Sequence, residues 1–257
     1  MNTNSKKVNI IGYGFVGQAN AVGLKRLGYD VAAYDIQEKE NIYGAKEFDE
    51  IPLTVGEELP DSGIHIICIA EKNFKGRQEI GHIAEVLHEL KGTGTVILRT
   101  TALPRLVSGV PFDFYWVEFI RERTAIEDFL NPELVVVGRR TEEAFPFEKE
   151  FPNIHYVIPE EASHIKYLWN IWNATRISFV NEFGHHLRER GIDKDRVLKP
   201  ILGDQKYLKW GNAFSGHCLP KDTEAYLAEH PDLLHLRATI EANNIHKERY
   251  PDLESIY

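Results

Sequence analysis

A chain of 257 residues has room for one large domain or two modest ones with a core able to stand alone. Hydrophobic residues at 43% and charged residues at 27% are ordinary for a globular protein, and a net charge of −9 without any lysine or arginine run argues against a nucleic-acid surface. Two cysteines, Cys68 and Cys218, make no disulfide framework, residues 1–7 lack the apolar stretch of a signal peptide, and no window reaches the roughly 18 apolar residues of a membrane span, so a soluble, cytoplasmic protein is expected.

The first predicted element is a strand over 8–11. It is followed by Gly12-Tyr13-Gly14-Phe15-Val16-Gly17, a helix over 18–27 ended by Gly28, and a strand over 31–34 finishing at Asp35. In such a unit the first glycine makes a tight turn, the second lets backbone approach a pyrophosphate, and the third packs helix on strand. The helix N-terminus then presents free N–H groups to the phosphates. Asp35 stands at the right distance for the ribose hydroxyls, and Ile36 and Gln37 offer no arginine for a 2′-phosphate; NAD is therefore expected over NADP.

Residues 64–70 read as a buried parallel strand with Cys68 in the core, 78–90 as a helix and 95–99 as the next strand. This alternation predicts an α/β fold, a Rossmann-like doubly wound parallel sheet whose ligand crevice lies beyond the carboxyl ends of its strands. Thr100 and Thr101 fall at such an end, where a hydroxyl positions substrate or water, or simply serves a turn. Strands are read over 115–119 and 134–138. Between them Glu118 and Glu122 are candidates to share a pocket and divide acid and base roles, with solvated glutamates as the alternative.

Residues 160–190 read as one helix with no breaker but Gly184, about 45 Å long at 1.5 Å per residue, and Gly191 stops it. Ile165, Leu168, Trp169, Trp172, Phe179, Val180, Phe183 and Leu187 cover more than one narrow stripe, which predicts burial on two sides and a homodimer interface. The expected division is a nucleotide-binding domain over 1–158 and, over 159–257, the long helix with a small all-helical domain for dimerisation and catalysis. Lys166 and Asn170, four apart, project side by side; an ammonium and an amide converging on one point make an oxyanion site, and a solvated lysine beside an incidental asparagine is the plain alternative. Helices over 195–202 and 231–250 follow, with Asp222 and Pro231 read as helix starts.

Residues 215–222, Ser-Gly-His-Cys-Leu-Pro-Lys-Asp, place Cys218 between His217 and Lys221, with Asp222 close behind. A thiol among cationic neighbours near a helix start is an attacking thiolate; a lone cysteine is also commonly a small buried hydrophobe. No metal site is expected.

Taken together and in this order, these segments resemble the UDP-glucose/GDP-mannose dehydrogenase family of nucleotide-sugar 6-dehydrogenases over nearly the whole chain. Thr100-Thr101 with Pro104 looks like the family's Ser-Thr-x-Pro turn, and Glu118-Phe119-Ile120-Arg121-Glu122 like its Pro-Glu-Phe-Leu-x-Glu segment, continued over 124–129. Lys166-x-x-x-Asn170, residues 178–182, Gly203-Asp204 and Cys218-Leu219-Pro220-Lys221-Asp222 complete the match. The resemblance implies a four-electron oxidation of a primary alcohol to a carboxylate with two NAD, passing through a thiohemiacetal and a thioester on Cys218. It implies that Lys166 and Asn170 stabilise oxyanions and touch the sugar, that Glu122 assists hydrolysis, that Asp222 and Thr101 organise a water, and that Glu118 supports the site. Residues Gly12 to Gly17, Asp35, Thr101, Glu122 and Lys221 would meet the cofactor, and Phe119 and Arg121 the substrate.

Five departures stand out. The chain ends at Tyr257, ahead of the family's third, nucleotide-binding domain; Ala70-Glu71-Lys72 replaces a Val-x-Thr-Pro turn; Val117 replaces proline and Arg123 a small residue; Ser215 replaces the first glycine of a Gly-Gly-x-Cys loop. A minimal sugar dehydrogenase is expected, acting on a nucleotide sugar or on a smaller or differently carried one. Arg123 is read as a charge clamp on substrate and Trp210 as a stacking face. A partner protein is one source of the missing recognition. A two-electron dehydrogenase of the β-hydroxyacid type, in which Cys218 is dispensable, and a non-catalytic NAD-binding partner subunit are the competing readings.

Overall fold

Apolar residues that alternate between two covered faces define the first half of the chain. The structure, a computed structural model, describes residues 7–74, 77–203, 205, 207–216, 218–251 and 253; Asp204 and His217, and the polar start over 1–6, lie outside the described residues. The chain divides into two units. One holds the residues up to Lys72 with Glu79–Lys166, the other Asn73–Gln78 with the residues from Tyr167 onward.

The first unit opens with β1 (Lys7–Ile11), α1 (Phe15–Arg26) and β2 (Asp30–Asp35), and continues through β3 (Leu53–Val55) to β4 (Gly63–Ile67). Next in the chain come β5 (Lys72–Phe74) and β6 (Arg77–Glu79), a separate two-stranded sheet whose residues 73–78 group with the otherwise helical second unit; the first unit resumes with α2 (Gly81–Glu89), β7 (Gly94–Leu98), α3 (Pro104–Val107) and β8 (Phe114–Trp116). Gln78 therefore belongs to a strand and the helix expected from 78 starts at Gly81. The unit closes with α4 (Ala125–Leu130), β9 (Val136–Arg139), β10 (His155–Val157) and the first residues of α5 (Pro159–Glu189).

The main sheet runs β10-β9-β8-β7-β4-β1-β2-β3, parallel throughout except that β9 lies antiparallel to β8. Successive residues of a strand serve opposite faces. Ile10, Ile66 and Ile97 join Val22 and Leu24 of α1 and Phe129 of α4, while Ile11, Ile67 and Leu98 join Ile83 and Leu87 of α2, Val107 of α3 and Ala162 of α5. Helices on both faces explain why β1 and β4 read as continuous apolar runs. The order of connections reverses between β1 and β4, and ligands of such sheets bind outside the carboxyl ends there.

The second unit is helical: the rest of α5, α6 (Lys194–Leu202), α7 (Cys218–Glu229) and α8 (Leu234–Arg249). Ala174 and Ile177 of α5 meet Phe214, with Tyr207 and Leu219 packed against them. Two buried asparagines fix the loop ahead of α7. Asn181 donates to Asn212 O and accepts from Gly211 N, and Asn243 accepts from Phe214 N and donates to Phe214 O. Helix α7 starts at Cys218 rather than Asp222. Pro220 sits in its first turn, where the N–H it lacks would have no intrahelical partner.

Candidate active site

The glycine turn links β1 to α1. Gly12 has φ +91°, and a Cβ there would lie 2.8 Å from Ile69 N; a Cβ on Gly17 would lie 2.0 Å from Gly12 O, so the fold itself demands glycine at both positions. Around Gly14 a Cβ would meet nothing within 4 Å. Helix α1 has no side-chain cap and no acid in its first turn, which leaves its N-terminal N–H groups and dipole to an external anion. Asp35, at the end of β2, accepts from Tyr13 N at 2.7 Å and from Gln37 N at 3.1 Å, and Lys39 Nζ is 3.2 Å away. An open second glycine and uncapped N–H groups fit the diphosphate of a dinucleotide, with the Asp35 carboxylate beside the turn. Lys39 is a cation that a reading stopping at Gln37 passes over.

At the carboxyl ends of β7 and β8 a charged cluster is buried. Thr100 and Thr101 are both buried, and Thr100 Oγ1 lies 3.5 Å from Glu71 Oε2. Glu118 takes Lys166 Nζ at 2.8 Å and accepts from Ile120 N at 3.1 Å; the same ammonium stands 5.6 Å from the Phe119 ring centre. Arg99, which the sequence reading left as the end of a strand, lies wholly inside, its guanidinium 3.6 Å over the Trp116 ring with Nη1 donating to Trp116 O. Burial pushes this guanidinium down to about 10. Burial also pushes the Cys68 thiol up to about 12, with the charge of Glu118 adding and that of Arg99 opposing, so Cys68 is an inert core thiol. The one available signal for Arg99 was a charge closing an apolar run.

In the helical unit, Asn170 Nδ2 donates to Asp222 Oδ2 at 2.6 Å, and Lys221 Nζ lies 3.4 Å from Asp222 Oδ1. Asp222 and Asn170 are buried, whereas Cys218 is exposed at the first residue of α7. A helix N-terminus favours a thiolate, and the first turn of α7 carries no acid to oppose it. Lys166 and Asn170 are four apart on α5, as expected, but each has its own carboxylate partner: Glu118 for the lysine, Asp222 for the asparagine.

Other expected residues are placed differently. Arg121 forms a bidentate pair with Asp128, at 2.9 and 2.5 Å, and its backbone N–H also donates there; the side chain, still partly exposed, anchors the start of α4. Glu118 and Glu122 do not share one environment, since Glu118 is buried and Glu122 is exposed. Arg123 is also exposed. Trp210 is not a vacant stacking face: Arg188 lies 4.3 Å over its ring, His246 and Tyr250 meet it edge-on, and a Cβ on Gly184 would lie 2.3 Å from it.

Fold and site together define a Rossmann-like α/β protein joined by a long helix to an all-helical unit. Residues 160–245 match the UDP-glucose/GDP-mannose dehydrogenase family, central domain. GDP-mannose 6-dehydrogenase of Pseudomonas aeruginosa is 27% identical over 294 residues, covering 89% of this chain and 66% of that protein. The UDP-glucose 6-dehydrogenase AglM of Haloferax volcanii is 26% identical, covering 96% of this chain and 71% of the relative. Over residues 160–245 the chain is thus similar to that family's central domain, and over most of its length to these 6-dehydrogenases. It spans 63 to 66% of the length of the first two GDP-mannose relatives. Among solved structures, a UDP-glucose dehydrogenase from Pyrobaculum islandicum superposes with a TM-score of 0.80 at 24% identity, over 98% of this chain and 70% of that one, which establishes the fold. Among the described residues no helix is long and apolar enough to cross a membrane, and no group of side chains could hold a metal ion.

Proposed function

We propose that the chain is an oxidoreductase that takes the primary alcohol of a nucleotide-linked sugar to a carboxylate through a thioester on Cys218. The observation that carries this reading is the exposed Cys218 heading α7, with Lys221 and Asp222 one turn on and Asp222 held by Asn170. The names of its relatives support the substrate class.

NAD, held at the turn from Gly12 to Gly17 and by Asp35, with Thr101, Glu122 and Lys221 as further contacts, would supply the hydride acceptor, one molecule for each of the two hydrides that the oxidation releases. The alcohol first becomes an aldehyde, its hydroxyl proton passing to water as the first hydride leaves. Cys218 thiolate adds to its carbon; the C–S bond forms and the carbonyl pair moves to oxygen, where the Lys166 ammonium and the Asn170 amide stabilise the anion. Loss of the second hydride from that carbon leaves the thioester. Asp222 and Thr101 orient a water, Glu122 takes its proton, and attack breaks the C–S bond to return the thiolate and release the acid. A cysteine serves here because it holds the aldehyde covalently between the two oxidations. Arg123 remains the substrate clamp in this reading, with Phe119 beside Lys166.

The test is NADH formed per substrate consumed across nucleotide sugars, sugar phosphates and free sugars, for wild type and Cys218→Ala. Two NADH per acid, abolished by the substitution, is expected. One NADH with the substitution tolerated would instead identify a two-electron dehydrogenase, and NAD binding without turnover of any sugar a non-catalytic subunit.

A further inference from the structure

We infer that Gln18 is a positioning residue of the cofactor site, holding residues 36–43 against the glycine turn so that one wall of the site is assembled before a dinucleotide arrives. The inference rests on reading that turn as an NAD site. Gln18 lies in the first turn of α1 and is 1% exposed, among Ala19, Ala21 and Val22. A primary amide carries two N–H donors and a carbonyl acceptor, and a buried one must place them all. Here Nε2 donates to Tyr13 O at 3.1 Å and to Glu40 O at 2.9 Å, and Oε1 accepts from Ile42 N at 3.0 Å. One side chain thus joins the middle of the glycine turn to two points on the segment after β2.

The same segment is secured at both ends by other groups. Asp35 takes Tyr13 N, and the Tyr43 hydroxyl donates to Phe15 O at 3.0 Å, its ring 5.8 Å from that of Phe15. The Tyr43 phenol is pushed up by burial first and then by the charges of Glu122 and Glu118, so the segment extends from the ribose-binding acid to the surroundings of the proposed catalytic carboxylates. Between these ends, where Asp35 also takes Gln37 N and Lys39, Gln18 ties residues 40 and 42 back to the glycine turn. A segment already held in place has no ordering cost left when ligand binds, which raises affinity without adding a contact.

Two variants test this. Gln18→Leu removes all three bonds at similar bulk, and Gln18→Met removes them with an unbranched chain of nearly the same length. Amide hydrogen exchange of residues 37–43 without cofactor, and NADH affinity by calorimetry, are the readouts. In both variants, exchange at Ile42 should accelerate and the Kd for NADH should rise roughly tenfold, the equivalent of about one to two lost hydrogen bonds. In steady state the loss should fall on KM for NAD rather than on kcat. Faster exchange with unchanged NADH affinity would overturn the inference, because the clamp would then serve folding alone, and so would unchanged exchange. Should Gln18→Leu fail to fold, the methionine variant carries the same comparison. If wild type binds no NADH, the cofactor reading itself is wrong and the inference falls with it, a result distinct from equal binding by wild type and variants.

Discussion

The ammonium of Lys166 lies 2.8 Å from a carboxylate oxygen of Glu118, and both side chains are withdrawn from solvent. Two charges taken out of water are tolerable together and costly apart. Glu118→Gln or Lys166→Met should each lower stability by about 3 kcal/mol in urea titrations, since either leaves the other charge buried without this countercharge. The double variant should recover most of the loss. Simple addition of the two effects would mean that the pair carries no coupling.

Asn170 and Asp222 allow a sharper experiment, because an asparagine at 222 can still accept from Asn170 through its amide oxygen while losing the negative charge. In the proposed mechanism that charge matters for the water that cleaves the thioester. Asp222→Asn should therefore complete the hydride steps and slow release of the acid by roughly 100- to 1,000-fold. The adduct would accumulate on Cys218 and appear in the intact-protein mass. Unchanged turnover with no adduct would remove Asp222 from hydrolysis.

The two-faced strands were legible as short, nearly continuous apolar runs bounded by turns, as a sheet covered on both faces requires, and β1, α1 and β2 follow from glycine chemistry that is local in sequence. The partners of Lys166 and Asn170 were not legible. Spacing on a helix says which residues are neighbours, whereas Glu118 and Asp222 stand 48 and 52 positions away and are brought up by tertiary structure. The Asp128 partner of Arg121 was hidden for the same reason, being seven positions away and brought up only once α4 forms. The start of α7 was missed through Pro220, which punctuates most helices but is accepted in a first turn.

His65 ties stability to pH. It is fully buried in β4, with Nδ1 3.2 Å from Asn9 Nδ2 and Nε2 3.0 Å from Thr93 Oγ1. Asn9 Nδ2 also donates to Ser62 O, and the Thr93 hydroxyl donates to Leu90 O, so the pattern assigns a neutral imidazole that accepts at Nδ1 and donates at Nε2. Burial pushes its pKa below the ordinary value, with Thr93 and Asp61 opposing, and burial does the same to His246. The unfolded chain then binds protons that the folded chain refuses. The stabilising effect is complete above the unfolded histidine value of about 6.5 and is lost as pH falls below it. Urea midpoints should drop between pH 7.5 and 5.5. Glu47, held low first by Arg26, and Asp128, where hydrogen bonds from Arg121 and Thr124 outweigh burial, would lose their contributions only in the carboxylate range. A flat midpoint from 7.5 to 5.5 would contradict the histidine account.

The outer face of α5 leads to a prediction about assembly. Leu168, Trp172, Phe179 and Phe183 are 46 to 57% exposed, and at 3.6 residues per turn their spacing sets them along one face. The rings of Phe179 and Phe183 stand 4.6 Å apart. Apolar surface gathered in this way is costly in water, unlike single exposed residues, and calls for a covering partner. A second copy of α5 supplies the same stripe, and a two-fold interface is self-complementary by construction. The chain should therefore sediment as a dimer at micromolar concentration, and Trp172→Glu or Phe179→Glu, each placing a charge where the stripe would be buried, should yield a folded monomer. Wild type that sediments as a monomer would leave the stripe to a different partner and end the dimer proposal.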